Sequence, residues 1–261
     1  MIEKGMMIHM RSLTGLVSIS FRSLTVESIA ERMTESGLKT VEWGADVHCV
    51  PGDTARANEV KTVSDRYGLT VGAYGSYYRV GTQAENTPRF EDIVQTASIL
   101  GAPIIRVWAF NKGSADVSDE EYARVLTDMR RICALAAEKK LLVSLECHNG
   151  TLTDDYRSAL RLLSDANADN LTMYWQPNQF RTDEYNKEAA AALKDCVTNV
   201  HVFNWKGTKK LPLAEAIPLW REYRRILDGG RYAHAYLLEF MPCDTPEELK
   251  TEADALQRIM G

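Results

Sequence analysis

The segment LLVSLECHNG, residues 141–150, brings a carboxylate and an imidazole to the end of an apolar run. Strand alternation sets Ser144, Glu146 and His148 on one face and Val143, Leu145 and Cys147 on the other. A carboxylate in that position is costly unless it is paired or holds a metal. The pattern recurs downstream. NVHVFNW puts His201 near the end of an apolar run, and AYLLEFMP puts Glu239 there. LTMYWQPNQ ends in Gln176, Asn178 and Gln179. Four successive strands thus deliver oxygen and nitrogen donors to one end. Such donors suit a divalent cation, and a pair of carboxylates around a substrate suits proton transfer.

Each residue also has a plainer role. Glu239 alone could pair with Arg106, which shares a strand face with Trp108. His201 alone is typical of a hydrogen-bonded core histidine. Their joint occurrence on successive strands is what points to a site. Glu42 in TVEWG is expected to hold a loop, and His48 is as readily a turn residue as a substrate contact. Trp43, Tyr74, Tyr77, Tyr78, Trp108 and Trp205 could wall a pocket for a C–H-rich ring. About half of them are expected to touch ligand and the rest to pack.

The elements that must position these side chains follow one alternation. Strands are expected at LVSISF (16–21), TVEWG (40–44), TVGAYGS (70–76), PIIRVWAF (103–110), LLVSLECH (141–148), LTMYWQP (171–177), NVHVFNW (199–205) and AYLLEFM (235–241). A helical segment follows each. One opens at Thr25, one spans roughly 54–67, and a long one covers 119–139 behind the cap pattern Ser118-Asp119-Glu120-Glu121. The last opens at Thr245-Pro246-Glu247-Glu248. Eight strand–helix pairs in about 250 residues predict a single (β/α)₈ barrel. An open doubly wound sheet would usually carry a glycine-rich turn after its first strand, and SISFRSLTVES has no glycine. The barrel domain is expected over residues 14–261, with residues 1–13 as a loosely held tail. In a barrel, Glu146, Gln176, His201 and Glu239 all reach the same rim.

Composition narrows the partners. The 261 residues are 45% hydrophobic and 26% charged, with net charge −5, which argues against bulk nucleic-acid binding. No apolar run approaches a membrane span, and MIEKGMMIHMRS has no apolar core long enough for a signal peptide. Five scattered cysteines without a C-x-x-C pair fit reduced thiols in a cytoplasmic protein. The expected partner is a small molecule, with no nucleic acid and no membrane; a homo-oligomer is compatible with this composition.

ECHNGTLTD after the fifth strand, His201 in NVHVFNW and LLEF on the eighth resemble the xylose-isomerase-like TIM barrels, a family of sugar phosphate isomerases and epimerases. EWGADVHCVPGD and AYGSYYRVG add to the resemblance, which covers about residues 14–260. It implies one divalent metal ion (Mn, Mg, Co or Zn), held by Glu146, His201 and Glu239, with Gln176 standing where the family usually has Asp. It implies that Glu146 and Glu239 also move protons, so the expected activity is isomerisation or epimerisation of a sugar or polyol derivative through an enediolate. The alternatives are a lyase or dehydratase on the same scaffold, and a non-catalytic carbohydrate-binding protein with a decayed metal site. Substrate contacts are expected from His148, Trp108, Arg106, Tyr74, Gln179 and Lys206. Gln179 stands where many members have a histidine. Lys206, Lys209, Lys210 and Arg79 are candidates for a phosphate group.

Overall fold

The computed structural model describes residues 13–82 and 87–261. Eight parallel strands close into a barrel: β1 (Leu13–Val17), β2 (Thr40–Gly44), β3 (Thr70–Val80), β4 (Ile104–Ala109), β5 (Leu142–Glu146), β6 (Leu171–Trp175), β7 (Val197–Val202) and β8 (Ala235–Leu238). Each strand pairs with its sequence neighbours, and β1 pairs with β8 to complete the ring. The connections are α1 (Val26–Glu35), α2 (Thr54–Arg66), α3 (Phe90–Leu100), α4 (Asp119–Glu138), α5 (Tyr156–Ala166), α6 (Asp183–Leu193), α7 (Ile217–Leu227) and, after β8, α8 (Leu249–Met260). This is the (β/α)₈ barrel the alternation predicts. A small antiparallel hairpin, Trp205–Lys206 with Lys209–Lys210, stands on the loop after β7.

Local chemistry accounts for the helix starts. The Thr25 side chain accepts from Ser28 N–H, Asp53 from Arg56 N–H, Asp155 from Arg157 N–H and Thr182 from Tyr185 N–H. Ser118 and Glu121 form a reciprocal capping box on α4. At the last connection the box formed by Thr245 and Glu248 opens a 3₁₀ turn, Pro246–Glu248, and α8 begins one residue later.

Two apolar layers result. The larger lies between barrel and helices and takes Trp43, Tyr74, Trp175 and Trp220. The smaller lies inside the barrel and is built from Val17, Ile19, Ala73, Ile104, Tyr174, Ala235 and Leu237. It fills the lower barrel, so the polar residues on the strands' C-terminal halves gather above it.

Two expectations need adjustment. The sequence pattern predicts the first strand at 16–21, but it runs Leu13–Val17, and Ser18–Phe21 is a 3₁₀ turn. The serines in SISF cap neighbouring backbone instead of continuing a ladder: Ser18 Oγ accepts from Gly44 N–H and Ser20 Oγ from Phe240 N–H. The expected tail lies outside the described residues except Leu13, which opens β1. Among the described residues no helix is long and apolar enough to cross a membrane.

Candidate active site

At the C-terminal end of the barrel, three buried carboxylates, a guanidinium and an imidazole share one cluster. Glu42 comes from β2, Arg106 from β4, Glu146 from β5, His201 from β7, and Glu239 directly follows β8. All five are at most 6% exposed, so each charge must be met inside the cluster. Arg106 meets two of them. Its Nε donates to Glu42 Oε1 at 2.7 Å, and its Nη1 donates to Glu146 Oε2. Trp108 Nε1 donates to the same Glu146 oxygen.

Space for that arrangement comes from Gly75 on β3. A Cβ there would lie 2.6 Å from Glu42 Oε1 and 2.7 Å from Arg106 Nη2, so a side chain at this position would drive the pair apart. Among the described residues Arg106 Nη2 has no hydrogen-bond partner, and the guanidinium lies 5.2 Å from the Tyr77 ring centre.

His201 sits among oxygens. Its Nδ1 lies 3.0 Å from Gln176 Oε1, 3.4 Å from Glu239 Oε2 and 3.5 Å from Glu146 Oε1. Its Nε2 faces Glu42 Oε2 at 3.4 Å. Burial disfavours the imidazolium, but Glu239 and Glu42 outweigh it and hold the His201 pKa well above the usual histidine value. Burial likewise opposes ionisation of Glu42, yet Arg106 and His201 bring its pKa down to about 2. Arg106 holds Glu146 well below the usual carboxylate range against the same burial effect. Below the cluster, Tyr174 packs 4.9 Å from the His201 ring and accepts from Asn199 Nδ2 at 2.7 Å.

The donor atoms of Glu146, His201 and Glu239 all lie within 4.8 Å of one another. Two carboxylates and an imidazole fit a divalent cation, and the Gln176 carbonyl adds a neutral oxygen beside them. In the structure His201 Nδ1 lies at the focus of these oxygens. Glu42 behind Nε2 stands where a carboxylate would orient a metal-ligating histidine.

The remaining candidates divide. Trp108 borders the cluster through its bond to Glu146. His148 stands at the rim, half-buried, with its ring 5.1 Å from the Trp108 ring and Nδ1 2.7 Å from the Asn149 carbonyl oxygen. Gln179 accepts from Asn149 Nδ2 at 3.4 Å, and its carbonyl accepts from Gly207 N–H of the hairpin. Lys206 is exposed on that hairpin and borders a groove with Gln179, Asn178 and Phe203.

Arg106 is 1% exposed and bonds two carboxylates, which leaves Nη2 as its unengaged donor among the described residues. One expected substrate contact is corrected. Tyr74 is fully buried in the outer layer, where its hydroxyl donates to the Cys49 carbonyl at 2.6 Å. The tyrosine of β3 beside the cluster is Tyr77, edge-on to Trp108 at 5.4 Å. Glu42, expected on its strand to hold a loop, is instead fully buried in the cluster. Tyr174 and Asn199 were not singled out. An acid inside the five-residue buried strand TVEWG was the signal available for Glu42.

Comparison with known proteins agrees with this architecture. A profile of the xylose isomerase-like TIM barrel family matches residues 30–259, and the chain belongs to that family. A 3-dehydroshikimate dehydratase of Bacillus anthracis is 30% identical over 166 residues, a match spanning 60% of this chain and 59% of that protein. Among solved structures, a probable 3-DHS dehydratase of Bacillus anthracis involved in petrobactin synthesis superposes with TM-score 0.78 at 22% identity, covering 94% of this chain and 98% of that one. The 3-keto-D-glucoside 4-epimerase of E. coli gives TM-score 0.70 at 17% identity, covering 95% of this chain and 98% of that one. At these identities the structural likeness establishes the fold.

Proposed function

We propose that the protein is a metal-dependent lyase that removes a proton beside the carbonyl of a polyhydroxylated ring and expels a neighbouring hydroxyl as water. The observation that carries this reading is the inequality of the two candidate proton carriers. Glu146 Oε2 is taken by Arg106 and Trp108, whereas among the described residues the Glu239 carboxylate pairs only with His201. Epimerisation wants two carboxylates that can each gain and lose a proton on opposite faces of one carbon. Elimination wants one base and a route for hydroxide to leave.

A divalent cation held by Glu146, His201, Glu239 and the Gln176 carbonyl would supply Lewis acidity that acidifies the C–H next to the substrate carbonyl. Glu239 takes that proton. The C–H electron pair becomes the new C=C bond as the C–O bond to the leaving hydroxyl breaks. His148, with Nδ1–H donating to the Asn149 carbonyl, gives its Nε2 proton to the leaving oxygen, which departs as water, and regains a proton from Glu239 or solvent between turnovers. Trp108 and Tyr77 cover the ring's apolar face and limit water. The dehydratase relative, 30% identical in the matched part, supports this choice of reaction.

Epimerisation is the second reading. It is favoured by Glu146 and Glu239 approaching the same imidazole nitrogen, at 3.5 and 3.4 Å. The two are separated in D₂O with Mn²⁺, using 3-dehydroshikimate, other cyclic β-hydroxy ketones and free ketoses as a panel. Mass spectrometry that finds loss of one water from a cyclic member supports the lyase. Deuterium incorporation without loss of water supports the epimerase. Neither change on any member contradicts both.

A further inference from the structure

The end of β3 breaks its alternation beside the candidate site. Gly75 pairs with Arg106, but the next register pair is Arg79 with Trp108, so four steps along β3 match two along β4. The extra residues include Tyr77, whose φ of 55° lies in the left-handed region that a tyrosine enters at a cost in strain. On β4's side, Phe110 has φ 66°. An irregularity of this kind re-aims side chains. Here it brings the Arg79 guanidinium 4.2 Å over the Trp108 ring, the same ring whose Nε1 bonds Glu146.

Arg79 is half-buried, and among the described residues its guanidinium makes one hydrogen bond, to the Phe110 carbonyl at 3.4 Å. Stacking on an indole holds the fork in one plane and leaves most of its N–H donors open. The charges below it explain why this matters. Of the three buried carboxylates, Arg106 offsets one, and a divalent cation offsets the other two. An acid at position 176 would leave one negative charge over, which Arg79 would neutralise. Gln176 removes that charge, and among the described residues Arg79 forms no ion pair, with Glu146 as the carboxylate nearest in effect.

We infer that Arg79 is a specificity-determining residue that selects a substrate carrying one carboxylate, bound on the Trp108-stacked guanidinium while the ring faces the Glu146–His201–Glu239 cluster. This rests on the lyase reading only for which carbons react. A carboxylate is preferred over a phosphate because one planar fork matches one carboxylate, whereas a phosphate dianion would leave a charge unmet beside a lone arginine. Lys206 is exposed on the hairpin across the mouth and does not supply that second charge in the site.

The test is calorimetric binding of shikimate and of its methyl ester, the same ring with and without the charge, to Mn²⁺-loaded and to metal-stripped protein. The parent should prefer the acid by at least about 10-fold, the scale of one charge-assisted contact. Arg79→Gln should lower affinity for the acid by a similar factor and leave the ester within about 2-fold. Arg79→Lys, which keeps the charge, should retain part of the preference and serves where the glutamine variant folds poorly. Absence of a preference in the parent, an unchanged preference in Arg79→Gln, or an equal loss for acid and ester would overturn the inference. An Arg79-dependent preference in a protein that dehydrates nothing leaves the inference standing and removes the lyase reading. Dehydration that proceeds with a preference indifferent to Arg79 does the reverse.

Discussion

Substitution of Glu42 by Gln removes one buried charge from the cluster and keeps the side chain's shape. In the parent, Arg106 Nε and His201 Nε2 both face this carboxylate, at 2.7 and 3.4 Å. Two routes give the size of the effect. Breaking one side of a buried ion pair costs about 3–5 kcal/mol. The carboxyl is drawn from 4.5 to about 2, and at about 1.36 kcal/mol per unit this is about 3 kcal/mol. Arg106 keeps Glu146 in the variant, and an amide oxygen can still accept its Nε–H, so the lower figure applies. At neutral pH the urea midpoint should fall with an unchanged m-value, and the melting temperature should drop by about 6–12 °C. The pH dependence has a fixed sign. A depressed carboxylate stabilises the fold fully above its unfolded pKa and loses that contribution as pH falls through the folded value. The gap between parent and variant should therefore be complete above pH 4.5 and close towards pH 2. Because Glu42 also orients His201, metal affinity should fall by about 10- to 100-fold. A variant within about 1 kcal/mol of the parent at neutral pH, or a gap that persists undiminished at low pH, refutes the reasoning.

Gln176→Asp should tighten Mn²⁺ binding in calorimetry, because it adds a negative charge where the Gln176 carbonyl now lies 3.0 Å from His201; equal affinity would remove Gln176 from the ligand set. Metal binding should release a proton, since the raised His201 pKa must be overcome before Nδ1 can act as a ligand; affinity then falls with acidification, and the binding enthalpy tracks the buffer's ionisation enthalpy. Gly75→Ala should destabilise the protein by several kcal/mol, of order 3, because its methyl would meet Glu42 and Arg106 under 3 Å away; a neutral result in urea unfolding would mean the pair yields easily. Tyr74→Phe should lose about 1 kcal/mol with the hydroxyl's bond to Cys49 and leave ligand binding unchanged, as expected of an outer-layer residue.

The donors at the strand ends were readable because a barrel turns order along the chain into order around a rim. Polar residues closing the apolar runs of β5 to β8 must meet, whatever the loops do, and Glu146, Gln176, His201 and Glu239 do converge. What escaped depends on phase. Counting by twos along β3 fails past Gly75, where the register shifts, so the turn of Tyr77 and Arg79 towards Trp108 is not legible in the sequence, while Tyr74, before the shift, lies in the outer layer. Glu42 lies at a second register shift, between Val41 and Glu42, and its partner Arg106 is 64 residues away. An acid on a short strand shows no partner in the sequence until that pairing is known. SISF has strand-forming residues, but its serines satisfy backbone donors of β2 and the loop after β8. Such distant hydrogen bonds leave no local periodicity to read.

The measurement that bears most directly on the whole account is the anomalous difference map of a crystal grown with Mn²⁺. The account predicts one strong peak between β5 and β8, about 2.0–2.3 Å from Glu146, His201 and Glu239 and within ligand reach of the Gln176 carbonyl. His201 Nδ1 should then face the ion, with Nε2 still against Glu42. No peak at that point, with Glu146 still bound to Arg106 and Trp108 and His201 still protonated among the carboxylates, would contradict it.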